Sequence, residues 1–290
     1  MKKTTIFRKL VNEPEILRLP VAHDGLSILA LAQAGFSAVS VAGYGAAGSL
    51  LGLPDIGLLS STEMLTHYAN LIARVDLPVM VDIDTGFGDV NNVIRTVRQV
   101  EQMGAAALFL EDQTFPKRCG HMNDKSVVDA EEYLPKLRAA LWARRDPDFV
   151  IMARTDAAAV YGLDEAIRRA KLYAAAGADM VFVEAVTTEE DMRRVNAAVG
   201  APSMANMIEG GKTPFLTAAE LQDIGYAAVA YPCGSVFTAV RALQKWAGYL
   251  WRYGTTEGFA SPETMVNFED YFRFIGAEAI RKREAQFREK

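Results

Sequence analysis

Four times along the chain a helical pattern runs into a glycine and then into a short apolar stretch. The copies lie at residues 34–41, 103–110, 176–183 and 224–231. Glycine suits the left-handed position that ends a helix. The stretch after it is apolar on both faces, as a parallel strand covered by helices must be. Four further strands are predicted between these copies, at 18–22, 78–82, 149–153 and 202–206. The segments between the strands are mostly amphipathic, and 130–144 and 163–176 carry apolar residues near helical spacing. Strand and helix alternating eight times predict an α/β fold, a (β/α)8 TIM barrel. An open doubly wound sheet is the rival, but no Gly-x-Gly-x-x-Gly follows the first strand to support a dinucleotide version. After Tyr253-Gly254 the pattern changes, and 262–290 is charged and aromatic, reading as one or two extra helices. Phe268, Tyr271, Phe272 and Phe274 are more than a solvated tail needs, so they are expected to pack on the barrel or on a neighbouring subunit. The expected organisation is a barrel at 1–254 with a helical extension at 255–290.

Composition narrows the function classes. Half of the 290 residues are hydrophobic, enough for a large core. A formal net charge of -5 argues against nucleic acid, which calls for a basic stripe. The two cysteines, Cys119 and Cys233, form neither a disulfide framework nor a zinc spacing. The basic start has no apolar core of a leader behind it, and no apolar run reaches the roughly 18 residues of a membrane span. These features predict a soluble cytoplasmic protein in a reducing compartment.

In a barrel the active site is built at the C-terminal ends of the strands. Those ends carry Asp82 and Asp84, then Glu111-Asp112, Arg154-Thr155-Asp156, Glu184 and Asn206. Gly43-Tyr44-Gly45 and Leu53-Pro54-Asp55 follow the second predicted strand. Any one aspartate there reads most simply as a helix cap or an ion-pair partner. Asp55, Asp82, Asp84 and Glu111 together predict four carboxylates at one mouth, and a hard cation such as Mg²⁺, or Mn²⁺, would resolve their repulsion. Arg154 could clamp a substrate carboxylate or pair with Glu111 or Asp156. Glu184 could hold Arg154 or His121. Lys117-Arg118-Cys119-Gly120-His121 places a thiol among cations, which favour a thiolate. Beside a metal site the same thiol reads better as a proton donor. Cys233 sits in an apolar context and reads as structural, and His23 and His67 as packing or surface residues. Tyr44, Phe87, Met207, Ile208 and residues 232–237 are expected to shape the substrate's side-chain pocket.

Lys117-Arg118-Cys119-Gly120-His121 resembles the signature of the isocitrate lyase and phosphoenolpyruvate mutase superfamily. Leu53-Pro54-Asp55, residues 81–88, Glu111-Asp112-Gln113 and Ala153-Arg154-Thr155-Asp156 resemble its other motifs, in the same order. The resemblance spans about residues 5–275 and is to the short lyase branch, with 2-methylisocitrate lyase, 2,3-dimethylmalate lyase and oxaloacetate hydrolase. It implies Mg²⁺ at Asp82, with Asp55, Asp84 and Glu111 completing the shell partly through water. It implies substrate contacts from Gly43, Tyr44, Gly45, Asp82, Gly120, His121, Arg154, Glu184 and Asn206. It makes Cys119 the general acid, on a loop that closes over a small carboxylate substrate. Tyr44 is expected near the reacting oxygen, and Lys117 joins the catalytic candidates. It also implies a homotetramer whose last helices swap between subunits. The expected activity is carbon–carbon lysis of a small 2-hydroxy di- or tricarboxylate. Oxaloacetate hydrolysis, phosphonate chemistry and a barrel that binds without turnover are the alternatives. Gly43-Tyr44-Gly45 departs from the serine and glycines of many methylisocitrate lyases and is more similar to the dimethylmalate and oxaloacetate branches.

Overall fold

The computed structural model describes residues 1–288. The predicted helical stretch 262–290 therefore ends, at 289 and 290, outside the described residues. The strands are β1 Leu17–Ala22, β2 Val39–Val41, β3 Val79–Asp82, β4 Ala107–Glu111, β5 Val150–Thr155, β6 Met180–Val183, β7 Met204–Asn206 and β8 Ala228–Tyr231. They form one parallel sheet in the order β6-β5-β4-β3-β2-β1-β8-β7. A parallel bridge between Val181 and Ser203 brings the two edges together, and the sheet is a (β/α)8 barrel. Helix α1 Lys3–Leu10 precedes it. Around it run α2 Gly25–Gln33, α3 Gly43–Leu51, α4 Ser61–Ile72, α5 Val90–Gln102, α6 Ala130–Ala143, α7 Ala157–Tyr161, α8 Leu163–Ala175, α9 Glu189–Ala198 and α10 Ala218–Ile224. Helices α11 Gly234–Tyr253, α12 Phe268–Phe274 and α13 Ala277–Arg288 complete the chain. Compact units span Met1–Ser235 and Val236–Lys290, so the division falls inside α11.

The repeated glycines end helices as the pattern predicts. Gly35, Gly104 and Gly177 have φ of 89°, 88° and 106° and sit one residue past the caps of α2, α5 and α8. Gly225, at φ 109°, is itself the cap of α10. Helix starts are fixed by side chains: Asp24 with Ser27, Ser60 with Glu63 and Thr217 with Glu220 form reciprocal capping boxes.

The two-residue period of a strand decides which side chains face inward. Met80, Ala107, Phe109, Val150, Met152, Met180, Phe182, Met204, Ala228 and Ala230 fill the barrel with Phe7 of α1. Their neighbours Val79, Val81, Leu108, Leu110, Ile151 and Ala153 pack outward under the helices. Each large apolar side chain buried in either layer contributes roughly 1.5–3 kcal/mol. Continuing the inward set upward by two residues reaches Asp82, Glu111, Arg154, Glu184 and Asn206. The core packing thus delivers the candidate residues to one barrel mouth.

In the second unit, α11 has no buried residue, and Leu243 and Trp251 are 64% and 92% exposed. Phe268 and Tyr271 of α12 are exposed as well. No helix among the described residues is long and apolar enough to cross a membrane.

Candidate active site

Arg154 is the hub of the mouth. Its Cα pairs with that of Glu111 across β4 and β5, and Nε lies 3.2 Å from Glu111 Oε2. Nε donates to Asp156 Oδ2 at 2.8 Å and Nη2 to Asp156 Oδ1 at 3.1 Å. Nη2 is also 3.3 Å from Glu184 Oε2, and the guanidinium sits over the Phe182 ring. Of the two roles foreseen for Arg154 the structure contains the pairing, with Glu111 and Asp156, and the residue also lines the cavity. Burial pushes the Asp156 carboxyl up, but Arg154 and Lys125 outweigh it and hold it at about 2.

Three of the four carboxylates expected to face one another unpaired, Asp55, Asp84 and Glu111, have cationic partners instead. Lys117, with a side chain 3% exposed, places Nζ 2.7 Å from Asp55 Oδ1 and 2.8 Å from Asp84 Oδ1. Burial works against its charge, but Asp84 and Asp55 hold the ammonium firmly protonated. Asp82 accepts from the Gly43 amide at 3.2 Å and from the Asp84 amide at 2.9 Å. Asp84 takes a φ of 48°, a left-handed backbone at the mouth. Burial raises its carboxyl to about 7 despite Lys117, and burial likewise raises Glu111 well above the usual range despite Arg154. Glu111 Oε1 is buried with no hydrogen-bond partner, and Asp84 Oδ1 meets Lys117 without a directed hydrogen bond. Among the described residues no three His, Cys, Asp or Glu side chains stand together as a ready-made metal cluster. The repulsion that called for a metal is therefore largely met by Lys117 and Arg154.

The cysteine loop lies against this hub. Cys119 N donates to the Asp55 carbonyl at 3.0 Å. Burial pushes the thiol above its ordinary range, a hydrogen bond from the His121 backbone opposes this, and Asp55 and Glu184 add to the rise. The activating cations of the sequence reading are spent elsewhere, since Lys117 is engaged by Asp55 and Asp84 and Arg118 is exposed. The thiol is therefore a proton holder at neutral pH. A Cβ on Gly120 would meet Arg154 Nη2, Glu184 Cγ and Glu184 Oε2, all at 2.5 Å, so only glycine lets the loop come this close. His121 Nδ1 accepts from the Lys212 amide at 3.0 Å, which leaves the proton on Nε2, 3.1 Å from Glu184 Oε1.

These groups enclose a cavity with ≈ 50 Å³ open to the centres of water-sized molecules. Tyr44, Asp55, Asp82, Lys117, Cys119, Gly120, Arg154, Glu184 and Asn206 line it. Asn206 Nδ2 lies 3.2 Å from Glu184 Oε2. Burial, with Cys233, Cys119 and Asp55, raises the Tyr44 phenol, so it stays protonated. Other expectations depart from the structure. Gly45 packs within 2.9 Å of His23 Cβ, measured from where its own Cβ would lie, and does not line the cavity. Gly43, Asp84, Glu111 and His121 also stand behind the lining. Met207 is fully buried in the outer core, and Phe87 lines a different depression beside Gln113 and Phe115. Ile208 and Pro232 do line the cavity, and so does Cys233, which reads as structural from its apolar context but lies within the pocket segment 232–237. Sequence reasoning passed over Lys125 and the role of Asp112. Buried Asp112 accepts from Thr155 Oγ1, the Asp156 amide, Arg169 Nη1 and Tyr173 OH, so it braces the end of β5. An acidic pair closing a strand was the available signal. His23 and His67 are packing residues, with His67 Nε2 3.0 Å from the His23 carbonyl.

The family model described as phosphoenolpyruvate phosphomutase matches residues 7–250. The chain is 41% identical to 2,3-dimethylmalate lyase of Eubacterium barkeri, over 99% of each chain. It is 40% identical to 2-methylisocitrate lyase of Bacillus subtilis, over 95% of this chain and 91% of that one. Among solved structures, 2,3-dimethylmalate lyase superposes with a TM-score of 0.93 at 33% identity, over 99% and 96% of the two chains. Oxaloacetate acetylhydrolase bound to 3,3-difluorooxalacetate gives 0.94 at 29%, over 100% and 98%. Phosphonopyruvate hydrolase in complex with oxalate and Mg²⁺ gives 0.88 at 28%, over 99% of each. A family match across most of the barrel, with relatives at 40% identity or more over nearly the whole length, places this chain in the phosphoenolpyruvate mutase/isocitrate lyase superfamily.

Proposed function

We propose that the protein is a Mg²⁺-dependent carbon–carbon lyase that cleaves a small 2-hydroxy di- or tricarboxylate to a 2-oxoacid and a second carboxylate. The observation that carries the reading is the protonated Cys119 thiol sharing one small cavity with Asp82, Tyr44 and Arg154. Arg154 offers a fixed guanidinium to a substrate carboxylate. Tyr44, held as a phenol, donates toward the substrate oxygen. As the carbon–carbon bond breaks, the hydroxyl passes its proton to a carboxylate of the cavity lining and becomes the new carbonyl. The bond's electron pair passes to the carbon beside the departing carboxylate, and Cys119 Sγ gives that carbon its proton. The loop over the cavity keeps bulk water from competing. The names of the two lyase relatives support this reading.

The oxygen donors at the mouth fit Mg²⁺. Asp82 lines the cavity, and the unpartnered Glu111 Oε1 and the raised carboxyls of Asp84 and Glu111 are what a nearby cation would relieve. Because no three His, Cys, Asp or Glu side chains cluster among the described residues, the ion would be held by Asp82 and by Asp55, Asp84 and Glu111 largely through water, as Mg²⁺ prefers. When bound, it supplies charge stabilisation to the substrate's carboxylate and oxygen. The Mg²⁺ in the phosphonopyruvate hydrolase complex supports the assignment.

The reading includes a homotetramer with exchanged C-terminal helices, supported by α11, which buries none of its apolar residues in the single chain. It also includes a reducing cytoplasm, which suits two free thiols. Oxaloacetate hydrolysis is the second reading, favoured by the TM-score of 0.94 to oxaloacetate acetylhydrolase. Purified protein with Mg²⁺ is to be offered 2,3-dimethylmalate, 2-methylisocitrate, oxaloacetate and phosphonopyruvate, with 2-oxoacid, oxalate and phosphate measured. Chelator-sensitive release of 2-oxoacid from one of the first two supports the lyase. Oxalate from oxaloacetate alone moves the assignment to the hydrolase.

A further inference from the structure

The loop that carries Cys119 leaves the barrel at Gln113 and returns at Val127, which meet in an antiparallel bridge. Its first half is well tied: the Gln113 side chain holds both sides of the Arg118 backbone, at 2.8 and 2.9 Å, and Asp55 holds the Cys119 amide. The second half is tied by a lysine that no motif singled out. Lys125 Nζ donates back across five residues to the Gly120 carbonyl and, at 2.7 Å, to Asp156 Oδ1. Its side chain is 1% exposed and that of Asp156 0%. Taking an ammonium out of water costs several kcal/mol unless its partners are well placed. A loop lysine ordinarily keeps its charge in solvent, so this burial calls for a reason.

We propose that Lys125 is a positioning residue for the reaction, one ammonium that couples the Cys119 loop to Arg154. Asp156 Oδ1 is shared between Lys125 Nζ and Arg154 Nη2, so the lysine and the arginine fix the same carboxylate. Gly120 in turn fits against Arg154 and Glu184 with no room for a Cβ. The loop and the guanidinium therefore hold one common position. Without the ammonium, the Gly120 carbonyl loses its donor, the Asp156 carboxylate is held by Arg154 alone, and the loop after Cys119 is tied less firmly, so the thiol is exposed more often. The role deepens the lyase reading and, for its kinetic part, rests on it.

The test uses the full-length protein and Lys125→Met, checked for folding by circular dichroism. Alkylation of Cys119 by iodoacetamide is followed by peptide mass spectrometry without substrate, and kcat and KM are measured on the panel substrate that turns over. We expect Cys119 to label about tenfold faster, the loss expected for one charged hydrogen bond. We expect kcat to fall at least tenfold, KM to change less, and Lys125→Arg to recover part of both. Wild-type labelling in folded Lys125→Met overturns the coupling, and so does an unchanged kcat. Should Lys125→Met not fold, Lys125→Gln is judged by the same two results. Labelling needs no turnover, so faster labelling in a protein that releases no 2-oxoacid would sink the lyase reading and leave the loop tie standing.

Discussion

Gly120→Ala isolates how tightly the acid loop must sit. The new Cβ would lie 2.5 Å from Arg154 Nη2 and from Glu184 Cγ and Oε2, whereas ordinary contact begins at 3.4 Å. Neither neighbour can yield cheaply. Arg154 is held by Asp156 and Glu111, and Glu184 by His121, Asn206 and the Ala185 amide. The loop must therefore move outward by about 0.9 Å. Gly120 is not among the positive-φ residues, so alanine adds no backbone strain and the effect is steric alone. A displacement of about 1 Å in a catalytic constellation costs roughly 10²-fold, which at 1.36 kcal/mol per decade is about 2.7 kcal/mol of transition-state stabilisation. A coupled assay of 2-oxoacid release gives kcat/KM, and a thermal melt checks the fold. We expect kcat/KM to drop about a hundredfold with little change in Tm, since the loop adds little to the core. A folded Gly120→Ala protein with kcat/KM close to wild type would refute the claim that catalysis needs the loop seated this close to Arg154 and Glu184.

Further outcomes follow from the same contacts. Cys119→Ala should lose at least about 10²-fold in kcat while calorimetry finds oxalate binding within a fewfold of wild type; retained turnover removes the thiol from the acid role. Asp156 has its carboxyl lowered from 3.8 to about 2, so its contribution to stability is fully present above pH 3.8 and is lost as pH falls through about 2. Asp156→Asn should therefore flatten the acid limb of urea unfolding between those values, by on the order of 2 kcal/mol. If α11 is covered by another copy, light scattering should give a tetramer for wild type and smaller species for the Leu243→Glu, Trp251→Glu double variant; a wild-type monomer contradicts the assembly.

Much of the barrel was readable because its signals are local. The helix-ending glycines at 35, 104 and 177 need only a positive φ, and the inward set from Met80 to Asp82 needs only the period of a strand. The ordered ends Asp82, Glu111, Arg154, Glu184 and Asn206 could be named from that period plus the eightfold alternation. Phe87 and Met207 were misplaced because side-chain direction after a strand ends depends on loop geometry, which has no period, and Gly45 because α3 packs it against His23. Lys125 escaped notice for a related reason: a lysine in a polar loop looks solvated until the fold sets Asp156 and the Gly120 carbonyl beside it.

The sequence by itself determined the barrel, the strand ends that bear chemistry and the thiol among them, since each follows from spacing along the chain. Only the tertiary structure decided how the charges are paired. Ion pairing depends on distances of a few ångströms between residues far apart in sequence, such as Lys117 with Asp55 and Lys125 with Asp156. Along the chain, the cations flanking Cys119 favour a thiolate. In the fold Lys117 is taken by carboxylates, and burial keeps the proton on sulfur.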